Sequence, residues 1–162
     1  MLARSIRLEI LIPSLLTLLV ACGGSSSSGA APTAAPVPTP VPMVKTAIAT
    51  VDGKSVTILV SANDMTLYYS TPDKGGKITC AGPCLGAWPP LVLAAGQTTV
   101  TAAKDIPGAW STAPNPDGKG IQVIYNNWPL YFWAKDMKPG DTTGQNVGGK
   151  WFVATPGLQA SA

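Results

Sequence analysis

The pattern of hydrophobic and polar residues divides the chain into three kinds of segment. A mostly apolar run extends from Ile10 to Val20. Residues 23–42 contain only small, hydroxyl, proline and valine residues with no charge, a composition that cannot bury a core. From about Thr46 onward, β-branched and aromatic residues occur in short runs separated by turn residues, which is typical of β-strands. The sequence therefore predicts an apolar leader, a spacer and a β domain.

Two β-hairpins are predicted within the β domain, because extended runs there are separated by short turn sequences. They join residues 55–61 to 65–70 across a turn at 62–64, and residues 120–125 to 128–133 across Asn126-Asn127. Since proline cannot donate a hydrogen bond to a strand ladder, Pro129 is expected at a sheet edge or at the start of a strand.

The two predicted hairpins are copies of one unit, because identical residues recur at a fixed separation of 63 positions, as from Tyr68 to Tyr131. The matched pairs are Ile58 and Ile121, Val60 and Val123, Asn63 and Asn126, Leu67 and Leu130, Tyr68 and Tyr131, Asp73 and Asp136, Gly86 and Gly149, and Trp88 and Trp151. Paired tyrosines and tryptophans make coincidence a poor explanation. The fold should therefore have internal pseudo-symmetry.

We predict a small, single, all-β domain at residues 46–162, with hairpin repeats at about 55–91 and 118–154. This length suffices for one domain with a core but is short for two. The only helix expected is a short turn around residues 80–86. Between the repeats, residues 96–100 are predicted as a loop that enters a short strand, and the Pro/Gly-containing stretches at 107–108 and 114–118 as turns.

The N-terminus has the features of a bacterial lipoprotein signal. Arg4 and Arg7 precede the apolar run, and Leu19-Val20-Ala21 precede Cys22, the order expected for export and lipid attachment at the cysteine. The apolar run is too short to cross a bilayer, which takes about 20 residues. We expect a signal peptide at 1–21, a lipidated Cys22 and a flexible Ser/Pro/Ala-rich tether at 22–45. The domain would then lie outside the cytoplasm, anchored by lipid at the cell membrane or outer surface.

Removal of this signal leaves a mature chain without arginine, glutamate or histidine. This mature chain has nine lysines and seven aspartates, so it is nearly neutral. Nucleic-acid binding is not expected, since it needs basic residues concentrated on one surface. Catalysis is not expected either, because only Asp, Lys or Tyr could act as general acid or base and no recognisable nucleophile and base accompany them.

The second repeat carries Tyr131-Phe132-Trp133-Ala134-Lys135-Asp136, and the first carries Tyr68 and Asp73 with Ser70 at the third position. The first repeat also contains Cys80-x-x-x-Cys84 and Trp88-Pro89-Pro90-Leu91. These residues resemble the family of predicted bacterial lipoproteins with a Tyr-x-(Phe/Trp/Tyr)-x-x-Asp motif, described as a secreted repeat of unknown function. The resemblance implies a location and an architecture but no activity, because the family has no established one.

The repeated Tyr, Asp and Trp residues have a structural and a functional interpretation. In the structural one, Tyr and Trp pack in the core and Asp73 and Asp136 each fix a turn after a strand by accepting backbone N–H bonds. In the functional one, aromatic residues form an exposed platform for a glycan or a partner protein. Trp110, Trp128 and Trp133 are the better candidates for this platform, because none has an aromatic counterpart in the first repeat.

Cys80 and Cys84 are expected to form a disulfide, because thiols outside the cytosol are oxidised. The alternative is a copper site, in which the two thiolates and a thioether from Met65 or Met137 would suit Cu(I). The absence of histidine excludes blue-copper ligation, and the absence of Cys-x-x-Cys-His excludes covalent c-type haem. Calcium binding by Asp136 and Asp141 is a further option from the chemistry of their oxygens.

These observations predict a lipid-anchored envelope or surface protein without a cofactor or catalytic activity. Its partners would be the membrane, through the N-terminal lipid, and an envelope protein or a cell-wall polymer. The alternative is a copper-handling or electron-transfer accessory that uses Cys80 and Cys84.

Overall fold

The computed structural model describes residues 41–162, and strands dominate it. The predicted signal peptide, Cys22 and the tether up to residue 40 lie outside the described residues. Within the described part the elements are β1 (Val44–Val51), β2 (Lys54–Ser61), β3 (Tyr68–Ser70), α1 (Cys84–Ala87), β4 (Trp110–Pro114), β5 (Ile121–Tyr125), β6 (Trp128–Pro129) and β7 (Trp151–Val153), with short 3-10 segments at Thr71–Gly76 and Val147–Gly149. The all-β fold class is confirmed. None of the helices in residues 41–162 has the length and hydrophobicity to cross a membrane.

The strands form three small antiparallel sheets, in the orders β1-β2, β3-β7 and β4-β5-β6. The longest ladder runs from Val44 opposite Ser61 to Val51 opposite Lys54. Its turn contains Asp52 and Gly53 with φ values of 50° and 76°, positive at both positions as a tight type I′ hairpin turn requires.

The predicted first hairpin is wrong in its main pairing, because β2 pairs with β1 along its whole length. The turn at 62–64 exists, but beyond it Val60 and Thr66 form a single isolated bridge, and β3 pairs with β7 instead. β1 fills one side of β2, and on the other side the backbone of Leu59 binds both Leu67 and Ala154. β1 was not predicted, and it begins at Val44, two residues before the predicted start of the domain at 46; the Val44 side chain is fully buried in the core.

The predicted second hairpin is present as β5 and β6. Asn126 and Asn127 both have positive φ, which asparagine tolerates better than most residues. Pro129 lies in β6 at the edge of its sheet, as predicted. Beyond Pro129 the predicted second strand does not continue, because Tyr131 forms bridges with Tyr68 and with Pro90 instead.

The segment between the repeats differs from its prediction. No strand forms at residues 96–100, and the nearby pairing is one parallel bridge between Val44 and Ala102. The strand in this region is β4, which adds to the free side of β5. The helical turn expected around residues 80–86 occurs as α1, and Leu85 on it is buried.

Two hydrophobic clusters fill the interior. The first packs the β1–β2 sheet against the disulfide region and the repeated aromatic residues, including Tyr68, Trp88, Tyr131 and Trp151. The second packs β2, β5 and the intervening loops around Leu67, Leu130 and Tyr125. At the centre, the N–H of Tyr68 donates to the carbonyl of Tyr131 at 2.9 Å, and the N–H of Tyr131 donates back to the carbonyl of Tyr68 at 2.9 Å. This reciprocal pair joins equivalent positions of the two repeats.

Candidate functional site

The repeated tyrosine of each repeat forms a hydrogen bond with the repeated aspartate of the other repeat. The Tyr68 hydroxyl donates to Asp136 Oδ2 at 2.6 Å, and the Tyr131 hydroxyl donates to Asp73 Oδ2 at 2.6 Å. All four residues are buried. Each tyrosine therefore completes the carboxylate site of the other repeat, and hydrogen bonds to charged groups are among the stronger ones in proteins.

The second oxygen of each carboxylate holds the loop that follows it. Asp73 Oδ1 accepts the N–H of Thr79 at 3.0 Å and its hydroxyl, and Asp136 Oδ1 accepts the N–H of Thr143 at 3.0 Å and its hydroxyl at 2.6 Å. Both oxygens of both carboxylates are thus engaged inside the protein. These hydrogen bonds fix the conformation of two equivalent loops.

The two tyrosine hydroxyls should make stability sensitive to high pH. Burial is the main cause that raises the pKa of Tyr68 and Tyr131 far above the ordinary value, and the hydrogen-bonded carboxylates raise it further. Unfolded tyrosines lose their protons near pH 10 while these two keep theirs, so the native state binds more protons above that pH. Their contribution to stability is therefore complete below about pH 10 and is lost as the pH rises, by up to about 1.4 kcal/mol per pH unit for each tyrosine.

Urea unfolding between pH 8 and pH 11.5 measures this slope. The double variant Tyr68→Phe/Tyr131→Phe should be less stable at pH 8 but should lose stability less steeply above pH 10. Tyr69→Phe is the comparison variant: burial raises the pKa of the half-buried Tyr69 too, but Tyr69 does not bind a carboxylate, so its removal should reduce the slope less than the double variant does. Equal slopes in the wild-type protein and the double variant would contradict the assignment.

The two repeated tryptophans stack on each other. The ring centroids of Trp88 and Trp151 are 3.8 Å apart with an interplanar angle of 5°, and Trp133 packs against Trp88 at 4.2 Å. Tyr68 meets the edge of Trp88, and Tyr131 meets the edge of Trp151, in equivalent T-shaped contacts. The repeated aromatic residues therefore form one shared core between the repeats.

The disulfide between Cys80 and Cys84 is confirmed, with an S–S distance of 2.02 Å. Cys80 is buried and Cys84 half-buried beside the tryptophan stack. Met137 is 82% exposed. In residues 41–162 no cluster of three or more His, Cys, Asp or Glu residues could hold a metal. Copper binding would therefore require reduction of this bond first.

Replacing both cysteines by serine is expected to lower the free energy of unfolding by about 2 kcal/mol, from the entropy of a short closed loop. The measurement is chemical unfolding of the oxidised, reduced and double-serine forms, with thiol titration and addition of Cu(I) to the reduced form. If Cys80 and Cys84 are structural, no copper is retained. Copper bound one-to-one by the reduced protein and lost in the double variant would instead support the copper-handling alternative.

The oxygens suggested for calcium have other partners. Asp136 binds Tyr68 and Thr143, and Asp141 Oδ2 accepts the N–H groups of Met137 and Lys138 at 2.9 and 3.1 Å. These contacts close a local turn, which is the ordinary role of an aspartate at such a position.

The three tryptophans without a repeat counterpart are all half-buried. Trp110 packs on Tyr125 with centroids 4.5 Å apart, and Trp128 packs on Tyr69 at 4.9 Å and donates its Nε1–H to the carbonyl of residue 159. Trp133 belongs to the stack described above, with Lys135 Nζ 5.6 Å from its ring centroid. Within the described residues no aromatic contact joins any two of the three, so they do not form one continuous platform.

Two surface cavities lie near these residues. One, of about 230 Å³, is lined by Thr98, Thr99, Val100, Trp110, Ser111 and Thr112. The other, of about 350 Å³, is lined by Pro107, Gly108, Asn126 and residues 156–160. In the larger cavity the Asn126 amide is already used, because it accepts from the N–H of Ala109 and donates to the carbonyl of Leu158.

The exchange of tyrosine and aspartate between repeats was not predicted. From the sequence, each Asp was expected to fix a turn after the strand of its own repeat, and no contact between a tyrosine of one repeat and an aspartate of the other was predicted. The available signal was that Tyr68 and Asp73 recur together at the same offset as Tyr131 and Asp136. Two copies of one unit can satisfy each other's buried polar groups reciprocally, as these do.

Comparison with known families finds a match to the Lipoprotein_15 family, described as a secreted repeat of unknown function. Two copies of the repeat match, at residues 49–92 and 111–155, which together cover more than half of the chain. No curated protein and no solved structure matches this chain. The match confirms both the family resemblance and the presence of two repeats, and it fits an extracytoplasmic protein. The chain therefore belongs to the Lipoprotein_15 family of secreted repeats of unknown function.

Proposed function

We propose that the protein is a lipid-anchored envelope or surface protein that binds a cell-wall polymer and has no catalytic role. The family supports the extracytoplasmic location. The order of charged head, apolar run and Cys22 supports the lipid anchor.

This proposal rests on one observation: the reactive groups of the repeats bind other groups of the protein itself. The Tyr68 and Tyr131 hydroxyls and the Asp73 and Asp136 carboxylates bind each other and their own loops, and the sulfurs of Cys80 and Cys84 are joined in a disulfide. A general acid or base must reach substrate, so groups held in this way are poor candidates for catalysis. What remains at the surface is a nearly neutral domain with half-exposed tryptophans, which suits binding to a neutral polymer.

The tether supports a role at a distance from the membrane. About twenty uncharged residues lie between Cys22 and β1 in the sequence, and the proline-rich part at 32–42 would span roughly 30 Å if it adopts the extended conformation that its composition predicts, at about 3 Å per residue. Such a spacer would let the domain contact a polymer layer while the lipid stays in the membrane.

Two measurements on the full chain test the proposal. Expressed in a bacterium that processes lipoproteins, the wild-type protein should incorporate a labelled fatty acid and fractionate with membranes, and Cys22→Ser should do neither. The lipidated protein in detergent micelles should also sediment with purified, protein-free cell walls, whereas an unrelated lipoprotein should not. Failure of Cys22-dependent labelling would overturn the anchor, and failure to sediment would overturn the polymer target. Binding of a purified envelope protein without binding to walls would replace the polymer by a protein partner.

A further inference from the structure

Strand β4 leaves one of its edges open beside the cavity at Trp110. It is the outer strand of its sheet and pairs only with β5 among the described residues. The N–H of Asn126 donates to the carbonyl of Ala109, and the N–H of Asn115 donates to that of Gly120. Backbone groups alternate between the two sides in an antiparallel ladder, so those of Ala109 and Asn115 face β5, and those of Trp110 and Thr112 face away from it.

The residues that line the cavity beside this edge include one aromatic residue and four hydroxyl residues, and none of them is charged. Its lining comprises Trp110, Val100 and the hydroxyl residues Thr98, Thr99, Ser111 and Thr112. Trp110 is fixed by contact with Tyr125, its direct partner across the ladder, at a centroid distance of 4.5 Å. A rigid indole therefore lies among donors and acceptors that can turn to suit a ligand.

These features match the chemistry of an uncharged sugar. A pyranose ring has an apolar face of C–H groups that can lie on an indole, and hydroxyls around its rim that can exchange hydrogen bonds with Thr and Ser side chains and with free backbone groups. A phosphate or carboxylate ligand would need a cation, and none of the lining residues is charged. The volume of about 230 Å³ is below the range of about 300–1,000 Å³ usual for larger ligands, so a single ring fits best.

An extended peptide added to the same edge is the competing ligand, and Pro114 disfavours it. Pro114 occupies the next position at which backbone groups face away from β5, and it has no N–H to offer. The open edge is therefore limited to Trp110 and Thr112, too short for strand addition, in which main-chain hydrogen bonds supply the affinity.

We propose that this cleft binds one uncharged pyranose unit of a wall or surface polysaccharide, with Trp110 as the stacking platform and Thr112 as a hydrogen-bonding partner. The inference rests on the proposed function, because it names the ligand class and the site of that binding.

The test is calorimetric titration of the full lipidated protein in detergent micelles with two probes, a neutral chito-oligosaccharide and a neutral gluco-oligosaccharide. At least one should bind, and Trp110→Ala should weaken its binding at least tenfold. Thr112→Val, which keeps the side-chain shape and removes the hydroxyl, should weaken it about threefold or more. Trp128→Ala is the matched control, since Trp128 is also half-buried and without a repeat counterpart, and it should stay within twofold of the wild type.

The outcomes separate this inference from the proposed function. If the wild type, Trp110→Ala and Thr112→Val bind the oligosaccharide equally, the cleft is not the binding site, although the polymer remains the target. Sedimentation with cell walls but no binding of either neutral oligosaccharide would overturn the ligand class alone. Binding of an extended peptide that Trp110→Ala abolishes would assign the cleft to a protein partner instead. If sedimentation also fails, both proposals are wrong.

Discussion

Replacing Trp151 by alanine is expected to lower the free energy of unfolding by about 3–5 kcal/mol. Trp151 is 9% exposed and lies flat on Trp88, with the edge of Tyr131 against it. Its removal would leave a cavity among rigid rings, and rigid surroundings collapse poorly around a void. Since small domains are stable by about 5–15 kcal/mol, this change would remove a large share of the total. Urea unfolding followed by far-UV circular dichroism measures it.

Trp110→Ala is the control for this prediction, because it removes the same side chain from a half-buried position. It should cost clearly less than Trp151→Ala. Trp88→Ala should cost about as much as Trp151→Ala, because the two rings share the stack. Similar losses for Trp110→Ala and Trp151→Ala would mean that the stack between the repeats does not dominate the core.

Replacing Asp73 by alanine is expected to lower the free energy of unfolding by about 3 kcal/mol or more. The carboxylate is fully buried and accepts the Tyr131 hydroxyl and the N–H and hydroxyl of Thr79. Hydrogen bonds to charged groups contribute about 1.5–3 kcal/mol, and buried donors left without partners cost about 1–3 kcal/mol each. Asp136→Ala should behave in the same way, because Tyr68 and Thr143 make the equivalent contacts.

A double-mutant cycle tests the exchange between repeats directly. Asp73→Ala combined with Tyr131→Phe should show a coupling energy of about 1–3 kcal/mol, because these side chains bind each other. Asp73→Ala combined with Tyr68→Phe should be close to additive, since Tyr68 binds the other carboxylate. Asp105→Ala is the surface control: Asp105 is exposed and, among residues 41–162, accepts one long bond from Thr46, so this change should alter stability by less than about 0.5 kcal/mol. Coupling to Tyr68 as strong as to Tyr131 would contradict the arrangement.

The reciprocal contacts make the repeats depend on each other. Each carboxylate site is completed by the other repeat's tyrosine, and each repeat supplies one ring of the Trp88–Trp151 stack. A single repeat would leave a buried carboxylate without one partner and would expose one face of its tryptophan. The pairing therefore explains physically why two copies occur in one domain.

The all-β class and the repeat could be predicted from the sequence, because local residue patterns indicate strands and a fixed spacing indicates a repeat. The hairpin at Asn126-Asn127 and the edge position of Pro129 followed from residue chemistry alone. β1 was missed although Asp52-Gly53, flanked by β-branched residues, is a strong hairpin signal.

The sequence by itself determined the all-β class, the two repeats and the second hairpin, and it favoured the disulfide between Cys80 and Cys84. Only the tertiary structure decided that β3 pairs with β7, that Tyr68 binds Asp136 and Tyr131 binds Asp73, and that Trp110 lies beside an open strand edge. Local propensity and spacing act over a few residues and can be read along the chain. The partner of a strand or a buried hydroxyl is selected among distant segments by packing and by the cost of leaving a buried polar group unpaired.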